Sequence, residues 1–229
     1  NKQAEHALSL INQAIALVPN EALFHATKGL IHDHQGQPNL ALSAHNRATE
    51  LYPQQFSYYL NRANTQQALG NLLAAKQDYE QSMAMLPTST AALQLGHLFQ
   101  QSGQRQQALS YYTQASDALG KAGQSARLNL ALLEIHDQPE KYIRIKHQQD
   151  IKGPLLVTIE NRSPLEVQQL LLVSQLLNAQ RSVIKEASWQ IDEPLKAGER
   201  SRYFPVPVSY HLKQDEYVQT KVMKVIIKH

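Results

Sequence analysis

The sequence predicts an α+β chain of two domains: a solenoid of stacked helix pairs, then a small β-sandwich. Three observations carry this. A ladder of small residues recurs every 34 or 33 positions through the first half of the chain. Prolines and glycines fall at fixed places within that ladder. After Pro139 the apolar period changes from that of a helix to the alternation of a strand.

The ladder is read from four segments, AEHALSLINQAIALVP, LALSAHNRATELYP, LAAKQDYEQSMAMLP and RQQALSYYTQASDALG. They align on Ala7, Ala41, Ala75 and Ala108, and again seven residues later on Ala14, Ala48, Ser82 and Ala115. Small side chains at both places let neighbouring helices approach closely. Pro19, Pro53 and Pro87 end three of the segments, since proline cannot continue a helix. In the preceding helix of each pair Gly29, Ala63 and Gly96 mark the crossing, and Gly36, Gly70 and Gly103 the turn, where left-handed backbone costs glycine little.

A 34-residue helix-turn-helix unit with these small, glycine and proline positions resembles the tetratricopeptide repeat (TPR). The expected array occupies residues 1–138: a half repeat, full repeats at 22–54, 56–88 and 89–121, and a closing helix, ARLNLALLEI, at 126–135. Ala7 falls in the second helix of its pair. Because one repeat cannot cover its own apolar stripe, the reading expects a partner helix upstream and hence a longer parent protein; a natural cap is the alternative, and Asn1-Lys2-Gln3 is polar enough for it.

In SVIKEASWQI, Val183, Ala187, Trp189 and Ile191 share one face and Glu186, Ser188 and Gln190 the other, with Lys185 intruding on the first. GPLLVTIEN and YVQTKVMKVIIK read likewise, and VQQLLLVSQLL reads as a longer strand covered on both faces. Turn clusters at 161–164 and 195–200 separate them, which predicts an immunoglobulin-like β-sandwich over 141–229 with Pro205 and Pro207 on an edge. Trp189 is expected to be a core plug.

Several function classes drop out. The 22 basic and 19 acidic residues are interspersed, so the net charge of +3 does not point to nucleic acid. No run of about eighteen apolar residues exists, so no direct membrane insertion is expected. Without cysteine there is no disulfide, thiolate zinc site or cysteine nucleophile. HExxH, GxSxG and phosphate-binding glycine motifs are absent, so no catalytic residue is assigned. His25, His32 and His34 raise a metal question, but His32 and His34 are two apart on a helix and face opposite sides; no metal or other cofactor is expected in this chain. Glu21, Asp33, Asp78 and Asp117 read as solubilising surface carboxylates.

The TPR resemblance implies that partners lie on a concave face formed by the first helices. By repeat spacing that face carries Leu23, Ala26, Leu30 and Asp33, then Ser57, Leu60, Asn61, Asn64 and Gln67, then Thr90, Leu93, His97 and Gln100. Of the Lys, Asn and Arg set with which chaperone-binding TPRs hold a C-terminal carboxylate, only Asn61 and Asn64 have analogues. Leucines with neutral polar groups suit an amphipathic or extended peptide. Equally, Leu23, Leu30, Leu60 and Leu93 are open to cover by another part of the same protein.

The runs FHATKGLIHDHQGQPNLALSAHNRATELYP and YYLNRANTQQALGNLLAAKQDYEQSMAMLPTSTAALQLGHLFQQSGQ, with LPTSTAALQLG at 86–96 the most distinctive stretch, resemble the C-terminal TPR region of bacterial HExxH zinc metallopeptidases related to the CAAX prenyl proteases. That resemblance implies a non-catalytic protein-binding and scaffold region of an envelope or periplasmic peptidase, with the zinc and its ligands upstream of Asn1. The alternative is a free-standing adaptor, cytoplasmic in location, that binds peptide segments in its groove.

Overall fold

The computed structural model describes residues 2–149, 155–201, 204–207 and 216–228. The helices are α1 (Lys2–Leu17), α2 (Ala22–His34), α3 (Pro38–Leu51), α4 (Phe56–Ala68), α5 (Leu72–Met85), α6 (Ser89–Gln101), α7 (Arg105–Ser116), α8 (Lys121–Glu134) and the single turn α9 (Pro139–Tyr142). The strands are β1 (Ile143–Gln149), β2 (Leu155–Asn161), β3 (Val167–Leu177), β4 (Val183–Ile191), β5 (Phe204–Pro205) and β6 (Tyr217–Ile227). Two compact units result, Asn1–Ala126 and Arg127–His229.

In the first unit α2–α3, α4–α5 and α6–α7 are antiparallel pairs closed by the same turn. Gly36, Gly70 and Gly103 have φ of 70°, 79° and 75°. Around each, two backbone bonds satisfy carbonyls at the helix end: Gly36 to Asp33 (3.0 Å) with Gln37 to His32 (2.9 Å), Gly70 to Gln67 (3.0 Å) with Asn71 to Gln66 (2.9 Å), and Gly103 to Gln100 (3.0 Å) with Gln104 to Phe99 (2.8 Å). This is the left-handed glycine stop that the spacing predicted. At the other end α3 and α5 finish at Leu51 and Met85, and the residues before the prolines, Tyr52 (φ −141°, ψ 83°) and Leu86 (φ −147°, ψ 111°), lie outside the helical region, from which a following proline drives them.

The small-residue ladder is the seam between helices. Ala41, Ala48, Ala75, Ser82, Ala108 and Ala115 are fully buried. Ala7 and Ala14, the equivalents on α1, remain half-buried.

The second unit contains two three-stranded antiparallel sheets, ordered β1-β2-β5 and β4-β3-β6. One core joins Ile159, Leu170, Leu172, Ile191 and Val225 to Ala131 and Ile135 of the α8 end, with Tyr142 and Ile143. A smaller cluster gathers Leu155, Val157, Leu176 and Val206. The sequence alone places the closing helix with the array and draws the boundary near 138–141. The two compact units divide at 126/127, and Ala131 and Ile135 are buried in the core of the second, while Leu128 and Leu132 stay exposed.

β3 departs from expectation. Leu170, Leu172, Ser174 and Leu176 are buried, whereas Leu171 is 37% exposed and Val173 and Gln175 are half-exposed, so one face is covered and the other is open. Its continuous apolar sequence concealed an ordinary alternation. β4 turns Ala187, Trp189 and Ile191 inward as predicted, but Val183, expected on the same face, is 50% exposed, beyond the register shift opposite Leu176 and Leu177. β5, which contains Pro205, is an edge strand, where the missing amide hydrogen breaks no ladder.

Candidate functional site

Each helix pair contains one ring, one small residue and one acceptor in fixed relation. The rings are His45, Tyr79 and Tyr112, all completely buried. A Cβ built on Gly29 would lie 2.4 Å from the His45 ring, and one on Gly96 would lie 2.5 Å from that of Tyr112. The polar tip of each ring reaches an acceptor twelve residues earlier: His45 Nε2 to Asp33 Oδ2 (2.9 Å), Tyr79 OH to Gln67 Oε1 (2.7 Å) and Tyr112 OH to Gln100 Oε1 (2.5 Å). Burial pushes both tyrosines up, Tyr112 to about 12.

The first two pairs are tied by further polar bonds, and Arg62 also joins the helices of its own pair. Thr65 Oγ1 donates to the Asp33 carboxylate at 2.9–3.0 Å. Arg62 donates to both Asp78 oxygens at 2.7 Å and to Thr49 Oγ1 at 2.8 Å, with Asn46 Oδ1 at 3.3 Å. Asp33 and Asp78 are therefore interior connectors and not the solubilising carboxylates that their scatter along the sequence implied. Sequence reasoning also missed Arg62, His45 and the two tyrosines; the recurring 34- and 33-residue spacing of the three rings was the available signal.

These bonds sort the proposed groove residues. Asp33, Gln67 and Gln100 face the rings of their own repeats, and Asn64 Oδ1 also lies 2.6 Å from Tyr79 OH, sharing its one proton with Gln67. Ala26 and Leu93 are buried in the helix layer. His97 is half-buried, edge-on to Tyr112 at 5.6 Å, with desolvation lowering its pKa. Leu23 and Leu30 are different: they lie two turns apart on α2, 57% and 49% exposed. Thr90 is exposed; Ser57, Leu60 and Asn61 are half-exposed. Asn64 and Gln100 are exposed despite these bonds, so the exposed members of the set are leucines at α2 and amides and hydroxyls at α4 and α6.

Two of the three histidines first considered as ligands have structural partners. His25 Nε2 donates to the Pro19 carbonyl at 2.7 Å, and His32 Nδ1 bonds Gln37 Oε1 at 2.8 Å. No group of three metal-ligating side chains occurs among the described residues. No helix among them is long and apolar enough to cross a membrane.

Residues 56–87 and 89–118 match the family model of the tetratricopeptide repeat. The first pair lies outside that match yet has the same glycine stop and ring-on-glycine contact. Among solved structures, the chain is similar to MamA, with a TM-score of 0.53 and 16% identity over 57% of this chain and 76% of that one. A MamA double mutant gives a TM-score of 0.53 and 16% identity over 58% and 74%. YrrB, described as a TPR protein with an unusual peptide-binding site, gives 0.50 and 18% over 54% of this chain and 63% of its own length. At such identities the likeness shows the fold. A comparison with curated proteins finds no match. The chain carries TPR helix pairs, followed by a region of two antiparallel sheets.

Proposed function

We propose that this chain is a non-catalytic protein-interaction scaffold whose first-helix face holds an amphipathic or extended peptide segment. The observation that carries the reading is the pair Leu23 and Leu30, about half exposed on one face of α2 beside a second layer of amides and hydroxyls. Aliphatic anchors with amide donors and acceptors suit the alternation of side chain and backbone in a bound peptide. The folds of MamA and YrrB support the architecture, and the peptide-binding description of YrrB supports the ligand class. A photocrosslinking residue at Leu30 should capture a peptide segment that one at Leu119 does not. Leu23→Ser with Leu30→Ser should abolish capture without lowering the melting temperature. Equal capture by both positions would defeat the assignment.

The finer reading rests on the residues at 86–96 and their neighbours. They support an accessory region of an envelope zinc metallopeptidase whose catalytic helix precedes Asn1, with the two sheets forming an immunoglobulin-like sandwich. On this reading the chain itself needs no cofactor, and elemental analysis after dialysis should find no stoichiometric zinc. The reading frame upstream of Asn1 should encode HExxH. A start codon within a few residues would instead make the chain a free-standing adaptor.

A further inference from the structure

We propose that the open seam between β1 and β6 in the second unit is a docking site for an acidic, extended protein segment that adds a strand there. This surface is separate from the first-helix face. β1 and β6 are the edge strands of their respective sheets among the described residues. Between them lie two adjoining clefts of about 540 and 610 Å³ that share Ile145, Gln219 and Thr220. An edge strand presents unpaired backbone groups along its free side, and a strand laid beside it gains a ladder of main-chain bonds.

The seam has two linings. Inward lie Ile143, Ile145, Val218 and Val222, buried or half-buried. His147 Nε2 meets Thr220 Oγ1 across the seam at 2.9 Å, Thr220 meets Ser174 Oγ at 2.8 Å, and Trp189 Nε1 donates to Ser174 Oγ at 2.9 Å. This chain of bonds secures the floor of the seam to the core. Outward stand Arg144 and Lys146 on β1 and Lys221 and Lys224 on β6, all exposed. Neither strand contains an acidic residue, and these four cations form no ion pair among the described residues. Arg181 adds a cation to one cleft, and Glu140 a single carboxylate to the other.

The charges choose the occupant. Cations along an edge blunt pairing between like edges, so a second copy of this chain would set Lys against Lys. A segment alternating acidic and apolar residues reverses that sign: its carboxylates meet the outer cations while its apolar side chains turn to Ile145 and Val222. Nucleic acid would satisfy the cations but leave the strand edges unpaired.

The test is fluorescence anisotropy on the full chain with a labelled (Val-Glu)₄ peptide. Binding is expected, with about tenfold weaker affinity for the variant carrying Arg144→Glu and Lys221→Glu, a loss in high salt, and no binding of (Val-Lys)₄. Because the protein variant could be perturbed, a second arm alters only the peptide: N-methylation of alternate amides should abolish binding and leave peptide charge intact. Leu23→Ser with Leu30→Ser should leave this affinity unchanged, which separates it from the first-helix site. Equal binding of the basic or N-methylated peptide, or binding of an oligonucleotide in place of the acidic peptide, would overturn the proposal.

Discussion

His45 is held by Asp33 through a 2.9 Å bond from its Nε2, while Nδ1 is buried without a partner. The neutral tautomer with its proton on Nε2 fits this site. Adding a second proton would bury an unpaired donor, and desolvation holds the pKa below the usual histidine range despite Asp33.

The sign of the pH dependence follows. The unfolded chain takes up this proton first as pH falls, so the stabilising contribution is complete above the unfolded value of about 6.5 and declines as pH falls through it toward the folded pKa. His97 and His147 are lowered by desolvation and act in the same sense. The melting temperature should fall between pH 7.5 and 5.5. Replacing both residues, Asp33→Gln with His45→Tyr, copies the tyrosine and glutamine of the next two pairs and should flatten the curve. An unchanged slope would show that His45 does not contribute.

Gly96→Ala should destabilise the array, although alanine is the better helix former by about 1 kcal/mol. Its Cβ would fall 2.5 Å from the Tyr112 ring, and forcing a packed ring aside costs about 1–3 kcal/mol. Adding Tyr112→Ala should remove most of the penalty of Gly96→Ala, so denaturant melts of the four proteins in the cycle should show coupling of at least about 1 kcal/mol.

Asp78→Ala should cost more than an exposed ion pair would. Arg62 and Asp78 are 21% and 9% exposed, and deletion leaves the guanidinium with only Thr49 and Asn46. A loss of about 2–3 kcal/mol is expected, below the figure for a fully buried pair because Arg62 retains some water. Arg62→Lys should recover little, since lysine cannot make the paired contact. Chemical denaturation of both variants provides the measurement.

Asn161→Ala should be among the most damaging changes in the second unit. This fully buried amide donates to the carbonyls of Leu165 (2.7 Å), Leu195 (3.1 Å) and Lys196 (3.1 Å) and accepts from Ser163 N and Oγ. Removing it takes the acceptor from the Ser163 amide, at about 1–3 kcal/mol if no water replaces it, and strips one bond from each of three carbonyls, which keep Ser163 Oγ, Val167 N and Glu199 N as donors. The melting temperature of Asn161→Ala should fall well below that of the half-exposed control Asn178→Ala, whose turn it would loosen only locally.

The contrast between Gly36 and Asn161 shows what the sequence makes legible. Gly36 acts within its own turn, so a period of 34 and a backbone rule reveal it. Asn161 also sits in a turn-like cluster, but its work depends on Leu195 arriving from far along the chain, and β-pairing at that range has no local signature. The same division runs through the site. Helical spacing places Leu23 and Leu30 on one face of α2, whereas the bonds of Asp33, Gln67 and Gln100 to His45, Tyr79 and Tyr112 depend on side-chain direction across a helix pair, which position alone does not give. β5 is only two residues long and pairs with Leu156 and Val157 through register, again beyond local pattern.

The bonds from Thr65 to Asp33 and from Arg62 to Thr49 fix the order of the helix pairs. Each ring-and-acceptor unit lies within one hairpin and could in principle be transplanted whole. These two bonds cross from the second hairpin to the first, so exchanging the hairpins would take Thr65 from the Asp33 carboxylate and Thr49 from the Arg62 guanidinium, leaving each only the partner inside its own hairpin, His45 and Asp78. The array is built from similar parts, yet its first two modules are addressed to each other by a few polar atoms.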